Sequence, residues 1–248
     1  MSDEHFLLLA PELKEAIFSH LPDVSCLLSV TLTCSSFLYT ILEVGHTILP
    51  KILQSRLHPS VAFDALAAFD ASKLGPTELT WSPQRVRQIM AMYDGDRSAS
   101  WSRIWTFQDA FALEKLANHV EFFTQEFVIL TLSVHPASAL PGRQVVSDMP
   151  PSAEEVGRIQ RTFYRFELYC NLFRKRQPVG RRGARGQLIL NEPMEILGVH
   201  EQHLLFFEKF ATWENEQLAC VRDFLLGRFS IRESPQNPND LSVSQSQG

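Results

Sequence analysis

Apolar residues recur along most of this chain at three- and four-residue steps, the spacing that gathers side chains on one face of a 3.6-residue helix. Leu13, Ile17 and Leu21 follow one another at four-residue steps near the start. Leu116, Val120, Phe123, Phe127 and Leu130 keep a 4, 3, 4, 3 rhythm, and Ile159, Phe163, Phe166, Cys170 and Phe173 repeat it. The last of these segments carries a second stripe, Tyr164, Leu168 and Leu172, so its apolar arc is wide enough for a helix packed on several sides. The two-residue alternation of a half-buried strand is nearly absent; Gly186 to Leu190 is the one short candidate. The pattern predicts an all-α fold.

Helix punctuation agrees with the stripes. Ser82-Pro83 reads as an N-cap with Pro at the first helical position, opening a helix that runs through Tyr93. Ser152 and Glu155 have the spacing of a capping box directly before the aromatic helix. His135 to Pro151 holds four prolines and reads as an extended loop, and Arg174 to Pro193 is rich in Gly and Arg without periodicity. From Glu233 onward Ser, Gln, Asn and Pro dominate, too few apolar residues to offset the entropy of ordering. The chain therefore divides into a small helical module over 1–46, a larger helical domain over 47–232 and a disordered tail over 233–248.

The first module has a readable plan. Pro11 is pre-organised for a first helical turn, and Leu13, Ile17 and Leu21 supply that helix with an apolar face. Leu21-Pro22-Asp23 stops the helix and turns the chain. Leu28 and Leu32, then Phe37 and Ile41, supply two further short faces. A unit of this size buries a low fraction of its surface, so part of its apolar face must be shared with the rest of the chain or with a partner. In order, Leu9-Ala10-Pro11-Glu12-Leu13, Ile17-Phe18-Ser19-His20-Leu21-Pro22-Asp23, Leu27-Leu28 and Leu32-Thr33-Cys34-Ser35-Ser36-Phe37 resemble the F-box. This is the three-helix module by which substrate receptors dock onto the adaptor subunit of SCF-type cullin–RING ubiquitin ligases. Arg165 to Phe173 and Trp213 to Leu218 also look like the helical C-terminal region of fungal F-box-like proteins.

The resemblance implies an adaptor-binding surface drawn from Leu9, Pro11, Glu12, Leu13, Ile17, Leu21, Pro22, Leu28, Leu32 and Phe37. Leu13, Ile17 and Leu21 would also hold the module together. It implies the SCF adaptor subunit as partner, cullin through it, and a protein client held by residues 47–232. The alternative is a helical interaction protein whose F-box-like module packs internally and docks nothing.

Composition narrows the classes further. Hydrophobic residues are 45% of the chain, with 18 Phe and 4 Trp, enough for a real core. A formal charge of −5 gives no whole-chain case for nucleic acid or an anionic membrane. No apolar run approaches the roughly 20 residues of a membrane helix, and Asp3 and Glu4 stand where a signal peptide would be basic. Cys26, Cys34, Cys170 and Cys220 are scattered without a CxxC pair, which argues against disulfides and zinc and predicts small buried hydrophobes in a reducing compartment. Cytoplasm or nucleus is the expected location.

Candidate chemistry does not assemble. His200 and His203 are three apart, not the four of a zinc-protease helix. Asp94-Gly95-Asp96 lacks the later positions of a calcium loop and reads as a turn. Gly180, Gly183 and Gly186 miss the dinucleotide-binding spacing. No catalytic role, metal or cofactor is expected. Between Arg174 and Gly186 lie six positive charges and no negative one, leaving the rest of the chain at a formal −11. This loop reads as solvated, with nuclear import as its functional variant; no aromatic is interleaved to stack bases. Trp101, Trp105 and Phe107 are expected in the core.

Overall fold

Pro11, Pro59 and Pro83 each stand in the first turn of a helix, where the missing N–H has no partner to lose and the fixed φ suits the turn. The computed structural model describes residues 9–74, 81–95, 101, 103–132, 150–174, 181–182, 188–189 and 197–233. Over them the fold is all-α: α1 (Pro11–Ser19), α2 (Val24–Thr31), α3 (Ser35–Arg56), α4 (Pro59–Ser72), α5 (Pro83–Tyr93), α6 (Phe107–Leu132), α7 (Ala153–Phe173), α8 (Val199–Leu205) and α9 (Thr212–Glu233). One antiparallel pair of two-residue strands joins β1 (Arg181–Arg182), which was not expected, to β2 (Leu188–Ile189), which lies within the short strand candidate.

The sequence punctuation holds where it is described. Ser82 Oγ accepts from Arg85 N at the start of α5. Ser152 and Glu155 form both bonds of the capping box at the start of α7. α7 is the central helix, packed on α4, α6 and α9. Its second stripe, Tyr164, Leu168 and Leu172, is fully buried. In its first stripe Phe163 is buried, and its ring meets Phe123, Phe127 and Phe224 at centroid distances of 6.2, 6.1 and 6.1 Å. Trp81 closes this region by donating its indole N–H to the Leu172 carbonyl at 2.8 Å.

The N-terminal helices are turned differently from the expectation. Leu13 and Ile17 do not close the module; both are exposed, while Phe18 is 1% and Lys14 6% exposed. One ring decides this. Phe18 is the largest apolar side chain of α1, and it packs edge-to-face on Phe37 with centroids 5.5 Å apart. Rotation about α1 that buries Phe18 also buries Lys14, whose aliphatic stem tolerates burial because its ammonium reaches Ser36 Oγ at 3.1 Å. α2 is turned likewise: Val24 and Leu27 are buried, and Leu28 and Leu32 face outward.

The expected division between 46 and 47 falls inside α3, which runs to Arg56 with Pro50 within it. Ile48, Leu49, Ile52 and Leu53 are all buried there, and that packing carries the helix through the proline. α2 and α3 both pack on α6, so the first three helices share one core with the rest of the chain. The join includes a buried carboxylate. Glu114 on α6 accepts from Val24 N at 2.6 Å and from Ser25 Oγ at 3.0 Å, capping α2 from a helix far along the chain. Glu114→Ala leaves that buried N–H without an acceptor and is expected to cost about 1–3 kcal/mol; Glu114→Gln, which keeps an acceptor oxygen, should cost less. Denaturant titration of the two variants separates these outcomes.

Two smaller expectations are corrected. None of the four cysteines is fully buried: Cys26, Cys34 and Cys170 are half-buried and Cys220 is exposed. α9 reaches Glu233, one residue into the segment expected as tail, while 234–248 lie outside the described residues, as do 133–149 of the proline-rich loop. Among the described residues no helix is long and apolar enough to cross a membrane.

Candidate functional site

The rotation that buries Phe18, Leu27 and Ile41 leaves an aliphatic pair on the outer side of each of the first three helices. Leu13 and Ile17 on α1, Leu28 and Leu32 on α2, and Leu38 and Leu42 on α3 are each spaced by four, so each pair shares a helix face. These six side chains are 37–76% exposed, and Tyr39 beside them is 70% exposed. Seven large apolar residues within 30 positions, on α3 and on the two helices α1 and α2 that each pack against it, exceed the scattered apolar exposure usual for a surface.

None of the ten residues expected at the adaptor surface is fully buried. Pro11, Glu12, Leu13, Ile17, Pro22, Leu28 and Leu32 are exposed; Leu9, Leu21 and Phe37 are half-buried. Phe37 is half-buried, with its ring packed edge-to-face against Phe18. Leu38, Tyr39 and Leu42 were missed by sequence reasoning. Their four-residue step was visible, but Phe37 and Ile41 offered a rival stripe one residue away, and α3 is apolar on both.

Charge is distributed unevenly around this face. Lys14 is the only Lys or Arg between residues 9 and 46, and it is buried. Glu15 accepts from Thr47 Oγ1 at 2.9 Å and from Lys51 Nζ at 3.1 Å, and the Lys51 bond first, then the Thr47 bond, holds its carboxyl below the usual range. Glu12 and Glu43 are exposed, and among the described residues no cation lies within ion-pair distance of either.

The larger part of the chain carries a cleft of about 740 Å³ between α4, α5 and the segment leading into α6. Its floor is apolar, from Phe63, Leu66, Leu74 and Ile89, and Met92 and Ile104 stand exposed among its lining residues. Two ion pairs lie along it. Arg103 grips Asp70 with two bonds of 2.5 and 2.8 Å, and Lys73 meets Asp109 at 2.9 Å. Burial pushes the Asp109 carboxyl up, but hydrogen bonds from Lys73 and Thr106 outweigh it and hold the group below its ordinary range. Trp105 is buried and stacks on Phe69 at 5.9 Å, as a core residue does, while Trp101 and Phe107 are half-buried. None of these three lines the cleft.

Among the described residues, the histidines and acids singled out from the sequence are not brought together. His200 and His203 are exposed, and His203 sits 3.5 Å from the exposed Glu208. Asp94 pairs with Lys209 at 2.5 Å. Among the described residues no group of three or more His, Cys, Asp or Glu is placed to hold a metal ion. Most of the basic segment 174–186 lies outside the described residues. Comparison of the chain with protein families, curated proteins and solved structures finds no match.

Proposed function

We propose that this protein is a substrate receptor of an SCF-type cullin–RING ubiquitin ligase, acting in the cytoplasm or nucleus. The first three helices dock the adaptor subunit, and through it cullin. Residues 47–232 hold a protein client, with the cleft between α4 and α5 as the concave surface available to it. Such a receptor contributes no catalytic side chain; it raises the client's effective concentration beside the ligase.

One observation carries the reading. The module with F-box-like sequence order leaves Leu13, Ile17, Leu28, Leu32, Leu38 and Leu42 in contact with solvent. Exposing that much aliphatic surface costs solubility unless a partner covers it. The alternative, a vestigial module packed internally, requires residues 47–232 to cover these side chains; the described ones pack on α2 and α3 through α6 and leave all six exposed.

Titration of purified adaptor against the wild type and Leu32→Glu/Leu42→Glu tests the proposal. Wild type should bind at about 10 μM or tighter, some 7 kcal/mol of affinity. The double variant should lose at least a hot-spot amount, about 2 kcal/mol or thirtyfold, with unchanged helicity by circular dichroism because both side chains are exposed. Absence of wild-type binding at that concentration rejects the ligase reading in favour of internal packing.

A further inference from the structure

We draw no further inference here: the strongest candidate, the cleft of about 740 Å³ between α4, α5 and the segment leading into α6, belongs to the client surface already described, and with Asp70 and Asp109 each held by a cation of the same cleft, nothing in the structure shows what occupies it.

Discussion

Replacing Arg165 by Met is expected to lower the stability of the fold by about 3–5 kcal/mol, the cost of leaving a buried charge without its partner. Arg165 projects from the central helix α7 with its side chain 8% exposed. Its Nε donates to Asp64 Oδ1 on α4 at 3.0 Å, and one terminal nitrogen donates to Glu214 Oε1 on α9 at 2.6 Å. The guanidinium lies 4.4 Å from the centre of the Phe210 ring. Asp64 is 2% exposed and also accepts the Tyr93 hydroxyl from α5 at 2.5 Å. Burial and then the Asp64 charge push the Tyr93 phenol well above its ordinary range, so it stays a donor. Four helices thus meet at one buried network. Removing Arg165 strands Asp64 with Tyr93 and with Arg161 at 3.8 Å.

At about 2–4 °C per kcal/mol for a chain of this size, the melting temperature should fall by roughly 6–20 °C. Asp64→Leu combined with Arg165→Met should recover part of the loss, because a buried pair is replaced more cheaply than it is broken. The same network predicts an acid limb. Burial pushes the Glu214 carboxyl up, but the Arg165 hydrogen bond, the Ala211 N–H and the charges of Arg165 and Arg161 hold it below its ordinary 4.5. Folded protein therefore binds this proton less readily than unfolded protein. The stability involved is complete above that ordinary value and is lost as pH falls through the depressed one. Arg165→Met should flatten that part of the pH–stability curve. A loss below about 1 kcal/mol on thermal melting would mean that water reaches Asp64 and replaces the guanidinium.

The parts legible in the sequence were those governed by local rules. A capping box needs two residues three apart, and Ser152 with Glu155, directly after Pro151, announced α7. The double stripe of α7 marked a helix packed on several sides, because only such a helix can bury so wide an arc. The parts that were not legible depend on distant partners. Glu114 and Val24 are 90 positions apart, and Asp64 and Arg165 are 101 apart; nothing local distinguishes these carboxylates from solvated ones. The exposed aliphatic pairs of α1, α2 and α3 fall between the two cases. Leu13, Ile17, Leu28 and Leu32 were named from sequence and Leu38, Tyr39 and Leu42 were not, and Leu13 and Ile17 were given an inward role because periodicity fixes which residues share a face and not which way that face turns. Direction was decided by Phe18, whose ring has more surface to bury than either aliphatic chain, and by a lysine long enough to be buried beside it.

That turn of α1 separates two neighbouring substitutions sharply. Phe18→Ala should cost about 3–5 kcal/mol, since it removes a buried ring and leaves a cavity against Phe37. Ile17→Asp, one residue away, should cost no more than about 1 kcal/mol, because that side chain already meets water and a charge there need not be desolvated. Function should order them the other way. At a temperature where both are folded, Phe18→Ala should keep its adaptor affinity within about threefold, while Ile17→Asp should lose tenfold or more by placing a carboxylate inside an apolar contact. Urea melts give the first ordering and adaptor titrations the second. If Ile17→Asp unfolds the chain and Phe18→Ala does not, α1 is turned the other way in solution. The aliphatic pair on it would then belong to the core, and the proposed docking face would shrink to α2 and α3.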